Sequence, residues 1–79
     1  MSTEIILEKI VGTLEVGTVG KISKNTGDTV QAGDVVLEVE SKKGNVSIEA
    51  SVGGKISVAV EEGSEVEIGD VLATIEENG

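Results

Sequence analysis

The sequence predicts an all-β domain, folded as a flattened sandwich. Three observations predict it. Apolar residues recur with period two in short runs, glycine-marked turns separate those runs, and the second half of the chain repeats the first. No window sustains a helical period, and the turns recur too often for one. With 79 residues there is room for one small domain with a thin core, spanning 1–79, with 76–79 either its terminus or the start of a linker.

Each element follows in order. A first strand is expected from Glu4 to Ile10, then an irregular stretch to Val16. Gly17 to Ser23 forms the second strand, and Asn25-Thr26-Gly27-Asp28 turns the chain. A brief extended piece at Thr29-Val30 leads into the turn Gln31-Ala32-Gly33-Asp34. Val35, Leu37 and Val39 then alternate with Val36, Glu38 and Glu40, and after Gly44 Val46 and Ile48 alternate with Ser47 and Glu49. A turn at Ser51-Val52-Gly53-Gly54 precedes Lys55 to Val60, with Ile56, Val58 and Val60 on one face. Turns at Glu61-Glu62-Gly63-Ser64 and Ile68-Gly69-Asp70 bracket Val66, and Val71 to Ile75 closes the series.

The two alternating runs around Lys42-Lys43 make a hairpin with its own register. Folding between these lysines pairs Ser41 with Gly44, Val39 with Val46 and Leu37 with Ile48. Apolar partners then share a face, while Glu38 meets Ser47 and Glu40 meets Asn45 on the other. A three-residue loop would set Val39 against Ser47, so the two-residue loop is preferred. It places Lys42 and Lys43 at the central turn positions, in solvent. A type I′ turn needs positive φ at both, which is costly for lysine; a type I turn with Gly44 as fourth residue fits better. Exposed lysines at a hairpin tip ordinarily serve solubility alone.

The repeat sets the architecture. Gly20-Lys21-Ile22-Ser23 recurs as Gly54-Lys55-Ile56-Ser57. After a two-residue offset, Gly27, Val30, Gly33-Asp34-Val35-Val36, Val39 and Glu40 return as Gly63, Val66, Gly69-Asp70-Val71-Leu72, Ile75 and Glu76. Two halves that cannot bury an apolar face alone stack into one core, giving two similar sheets about a pseudo-twofold axis. The lysine tip then lies at one end of the domain and the C-terminus at the other.

Composition removes whole classes of chemistry. The chain has no Cys, His, Pro or aromatic residue and eleven glycines. Disulfides, thiolate metal sites and His- or Cys-dependent triads are excluded. A formal charge of −9 argues against nucleic acid and leaves docking on a basic partner open. The N-terminal Met-Ser-Thr-Glu-Ile-Ile-Leu-Glu has neither a positive leader nor a long apolar run, so a cytoplasmic protein without membrane contact is expected, with a matrix location if a transit peptide has been removed. Glu61, Glu62, Glu65, Glu67 and Asp70 read as a solvated acidic surface rather than an oxygen cage for a cation. Gly20-Lys21 and Gly54-Lys55 lack the upstream glycine of a phosphate loop, having Glu15 and Glu49 there. Asp28, Asp34 and Asp70 are expected to bond local backbone at turns.

Gly17-Thr18-Val19-Gly20-Lys21, Gly27-Asp28-Thr29-Val30, Gly33-Asp34-Val35-Val36-Leu37-Glu38-Val39-Glu40 and the later Gly63, Val66, Gly69, Leu72 and Ile75 together resemble the lipoyl domain family. The resemblance covers Glu4 to Glu76 and extends to the broader biotinyl/lipoyl carrier fold, a barrel-sandwich hybrid of two four-stranded sheets. The family's attachment motif is Glu-Thr-Asp-Lys-Ala, and Glu40-Ser41-Lys42-Lys43-Gly44 stands in its place. Counting back from Val46 and Ile48 makes Lys43 the attachment residue, with Lys42 in the aspartate position as the alternative acceptor. Glu8 and Glu49 stand where the family often has proline, and Ile22 where it often has tryptophan.

The resemblance implies a swinging-arm carrier of 2-oxo acid dehydrogenase-type complexes, monomeric as an isolated domain and not itself an enzyme. Lipoate would be in amide linkage to Lys43, with Glu40, Ser41, Lys42 and Gly44 recognised by the attaching enzyme. The implied partners are that enzyme, the 2-oxo acid dehydrogenase component and dihydrolipoyl dehydrogenase. Two alternatives stand beside it. A biotin carrier shares the fold, but its lysine usually sits between methionines and the only methionine here is Met1. An unmodified structural or adaptor module is the other.

Overall fold

The computed structural model describes residues 2–8 and 16–77. Among them every regular element is a strand: β1 Ser2–Ile6, β2 Val16–Ile22, β3 Thr29–Val30, β4 Val35–Ser41, β5 Gly44–Glu49, β6 Gly54–Val58, β7 Glu65–Glu67 and β8 Val71–Glu76. They form two four-stranded sheets, β1-β8-β6-β3 and β5-β4-β2-β7, antiparallel throughout. The inner faces of both sheets close on one apolar core that includes Leu7, Val19, Leu37, Ile56, Leu72 and Ile75, with no buried polar side chain among the described residues. The molecule is elongated, 38 × 18 × 17 Å.

The sheet orders carry the pseudo-twofold in full. Exchanging β5, β4, β2 and β7 for β1, β8, β6 and β3 turns one sheet into the other. Four turns repeat the same construction. In 25–28, 31–34, 61–64 and 67–70 the fourth residue's N–H donates to the first residue's carbonyl, at 2.9, 3.0, 3.0 and 3.0 Å. The third residue is always glycine, with φ between +90° and +99°, as a type II turn requires. Each of these glycines donates to the carbonyl of a core residue (Ile56, Ala50, Val19 or Leu7) whose own N–H donates to the fourth turn residue. The expected local role of the aspartates is observed: Asp28, Asp34 and Asp70 accept the first residue's N–H at 2.8–2.9 Å. Two further side chains match across the axis, Glu62 accepting the N–H of Ile22 and Thr26 Oγ1 that of Val58, both at 2.9 Å.

Three expectations are corrected. First, the repeat is aligned differently in space. Thr18 lies between Glu40 and Glu65, and Lys55 lies between Glu76 and Thr29. Gly17-Thr18-Val19 is therefore the counterpart of Gly54-Lys55-Ile56, and the matching Gly-Lys-Ile-Ser runs are three positions out of register. An extra residue in β2, whose pairing with β4 shifts between Val19 and Ile22 while β6 pairs with β8 without a shift, makes Ile22 the counterpart of Val58 rather than of Ile56, so the identity of the two runs is local and not positional.

Second, Val35 leaves the face of Leu37 and Val39. A register shift between Val35 and Leu37 leaves Val36 and Leu37 both buried and Val35 39% exposed. The counterpart strand β8 does the same, burying Leu72 and Ala73 together. Third, β1 runs from Ser2 and ends at Ile6, where strict alternation with β8 breaks. Leu7 continues into the core, but as a partner of the 67–70 turn. The expected continuation through Ile10 and the irregular stretch to Glu15 lie outside the described residues.

Candidate functional site

The hairpin of β4 and β5 has the register that alternation predicts, Ser41 with Gly44, Glu40 with Asn45, Val39 with Val46, Glu38 with Ser47 and Leu37 with Ile48. Lys42 and Lys43 are the two exposed residues of its turn. No described non-glycine residue has positive φ, which rules out types I′, II and II′ here and agrees with the expected type I turn. Gly44, at φ +138°, takes the chain out of the turn.

Ser41 closes this loop from inside. Its hydroxyl donates to the Gly44 carbonyl at 2.7 Å, and the Lys43 N–H points back at the Ser41 Oγ across a long 3.4 Å. The base is thereby held while both lysine side chains stay free: among the described residues neither amine has a hydrogen-bond or ion-pair partner. This donor is suited to acylation. The amine is exposed, sits on a four-carbon stem and is fixed to a closed turn rather than a mobile loop.

Glu40 sits differently. It lies opposite Thr18, yet its side chain leans along the strand onto Gly20, away from the turn. A Cβ built on Gly20 would stand 2.5 Å from Glu40 Oε2 and 3.0 Å from Cγ and Cδ. Of the residues expected at the site, Ser41, Lys42, Lys43 and Gly44 are thus gathered in one turn, with Glu40 at its root but turned back over β2. Sequence reasoning missed Gly20. Its only signal was a glycine inside an otherwise alternating strand, which marks a bulge or a close approach.

The turn also has a defined place in the molecule. Val16 pairs with Glu67, two residues along β2 from the Thr18–Glu40 pair and on the turn's side of it. The 67–70 turn therefore starts β8 at the lysine end. Its six residues, at about 3.3 Å each, run away from that end and set Glu76 beside Ser2 at the other. The acidic residues of 61–70 include two with backbone roles, Glu62 and Asp70, and no group of three metal-binding side chains gathers among the described residues.

A sandwich of two four-stranded sheets with an exposed lysine at the tip of a closed turn, at the end opposite Glu76, is the architecture of the biotinyl/lipoyl carrier class. Comparison with known proteins names the family. Residues 9–75 match the biotin/lipoyl attachment family, described as "Biotin-requiring enzyme". The chain belongs to the biotinyl/lipoyl carrier family.

Curated relatives include the pyruvate dehydrogenase E1 component subunit beta of Rhizobium meliloti, 35% identical, and the dihydrolipoyllysine-residue acetyltransferase component of the pyruvate dehydrogenase complex of Zymomonas mobilis, 36% identical. Both alignments cover 100% of this chain and 18% of the relative, so the chain spans less than a fifth of those proteins. Among solved structures, the Kluyveromyces lactis urea carboxylase superposes with a TM-score of 0.80 at 28% identity, over 96% of this chain and 6% of that one. The lipoyl domain of the 2-oxoglutarate dehydrogenase complex from Azotobacter vinelandii superposes with a TM-score of 0.73 at 24% identity, over 95% of this chain and 99% of that one, a likeness of fold.

Proposed function

We propose that this chain carries lipoate in amide linkage to Lys43 and presents it to the active sites of a 2-oxo acid dehydrogenase-type complex. The observation that carries this reading is the Lys43 amine, exposed and without a partner among the described residues, on a turn whose base Ser41 ties shut. Relatives named for lipoyl-bearing components support it, as do the motif Glu40-Ser41-Lys42-Lys43-Gly44 and its place at the hairpin tip.

Lipoate, when bound, supplies a dithiolane that takes up an acyl group and two electrons. The chain's own contribution is mechanical and electrostatic. Lys43 Nζ becomes a neutral amide on attachment, so no carboxylate of the acidic surface holds the arm down by charge. Gly44 and the Ser41 hydroxyl keep the turn narrow, leaving the side chain as the moving part. Glu40, Ser41, Lys42 and Gly44 form the surface that the attaching enzyme reads. The domain performs no bond-making step itself; the dehydrogenase component and dihydrolipoyl dehydrogenase do so in turn. It works as a monomeric single domain, in the cytoplasm or the mitochondrial matrix.

Intact mass tests the proposal. Protein from lipoate-supplied cells, or treated with a lipoate-attaching enzyme, should gain one lipoyl group. Lys43→Arg should abolish the gain with the fold unchanged, and Lys42→Arg should keep it. A biotinyl mass, no added mass, or a gain that survives Lys43→Arg and vanishes with Lys42→Arg would overturn it.

A further inference from the structure

The two halves of the molecule differ at one place that the fold does not need. Opposite Glu38, strand β2 carries Gly20 and Lys21 where the counterpart strand β6 carries Ser57 alone, opposite Thr74. The added residue lies beside β4 at Glu38, close before the lysine turn, and the glycine faces outward, on the same face as Thr18 and Glu40. Glu40 fills the room it leaves: the carboxylate, Cδ and Cγ all lie where any larger side chain at position 20 would have to be.

We propose that Gly20 is a positioning residue for cofactor attachment. It seats the Glu40 carboxylate at a fixed place at the root of the lysine turn, and the attaching enzyme reads it there. This inference rests on the function proposed above. The physical reason is entropy and geometry. An exposed glutamate ordinarily samples several rotamers, and a partner must freeze them on binding. A side chain already lying in a glycine-lined seat loses less freedom and offers its charge at one place relative to the backbone of the lysine turn. The same seat points the carboxylate back over β2, away from the two amines, so among the described residues acidic group and acceptor amine are presented separately and do not pair. Gly20→Ala puts a methyl group into this seat. The neighbour it meets is a flexible side chain rather than backbone, so the domain still folds while Glu40 is expelled.

The test is a double-mutant cycle on attachment kinetics, using a lipoate-attaching enzyme, lipoate and ATP, read as kcat/KM by intact mass. Glu40→Gln and Gly20→Ala should each lower it about tenfold, the scale of a misplaced charged hydrogen bond, and the double variant should lose no more than either alone. Thermal melting of all three should stay near wild type. A nuclear Overhauser contact between the Gly20 α-protons and the Glu40 γ-protons should be present in the wild type.

Absence of that contact, wild-type attachment by Gly20→Ala, or losses that multiply in the double variant would each overturn the proposal. So would recovery of a Gly20→Ala defect by Glu40→Gln, which would mean the carboxylate is merely in the way. Should Gly20→Ala fail to fold, Glu40→Asp leaves the glycine intact but cannot reach the seat, and must show the same loss. A wild-type chain that accepts no lipoate overturns the function and this inference together, whereas a lipoylated wild type with an indifferent Gly20→Ala overturns the inference alone.

Discussion

Gly20 and Gly54 each open a Gly-Lys-Ile-Ser run, yet the fold uses them for opposite purposes. Gly20 sits at a bulge on an outer face and leaves room for a side chain, that of Glu40. Gly54 starts β6 at φ +153°, where a Cβ would run into the main-chain carbonyl of Glu76 on β8 and the side chain of Ile75. A side chain can swing aside, but a carbonyl in a sheet cannot move without its ladder. One glycine therefore keeps space for recognition, and the other keeps two strands in contact. The contrast also separates what function asks of the sequence from what the sandwich asks.

The sharpest way to break this comparison is to add the same methyl at both sites. Gly54→Ala should destabilise the domain by about 3 kcal/mol, combining overpacking against backbone with an unfavourable φ. Gly20→Ala should cost about 0.5 kcal/mol, the range of ordinary surface changes. Urea unfolding of the two variants measures both. Equal losses would show that the bulge in β2 is a structural necessity and not a seat.

The same pair shows how far the sequence could be read. The hairpin register was legible to the residue because alternation and a two-residue turn leave one solution in which Val39 meets Val46 and Leu37 meets Ile48. The sheet pairing of the two halves was legible from Gly33-Asp34-Val35-Val36 and Gly69-Asp70-Val71-Leu72, which are true counterparts. Identity misled at the Gly-Lys-Ile-Ser runs, because a shared tetrapeptide does not report its place in a ladder: Ile22 is the counterpart of Val58, not of Ile56. Bulges also hid Val36, since alternation alone cannot show two adjacent residues facing the same core. Lys43 was legible as an exposed tip residue, but its significance came from resemblance. The seating of Glu40 on Gly20 is a contact between strands, and no local pattern encodes it.

The four turns extend the comparison at smaller effect. Three of them spend an aspartate on the first residue's N–H. Asp28→Ala, Asp34→Ala and Asp70→Ala should each cost about 1 kcal/mol by urea unfolding, because each removes one charged acceptor from an exposed but ordered turn. Since the turns are equivalent, the three losses should agree within a few tenths of that value. A much larger loss at Asp70 would single out the lysine end of the molecule as the weaker one.

The fourth turn, 61–64, lacks this bond because its last residue is serine. Its backbone is otherwise that of the other three: Ser64 donates to Glu61 at 3.0 Å, Gly63 donates to Val19, and Val19 donates back to Ser64, each of the latter two at 2.8 Å. Ser64→Asp therefore supplies a carboxylate to a turn already shaped to use it, against repulsion from Glu61, Glu62 and Glu65 beside it. The hydrogen bond is short-ranged and survives salt, while the repulsion is screened within about 10 Å at 0.1 M ionic strength. The variant should gain about 0.5 kcal/mol near physiological salt, with the gain growing as salt rises. A gain that shrinks with added salt would mean that the turn's acidic neighbours do not oppose the new charge, and that its difference from the other three lies in the backbone.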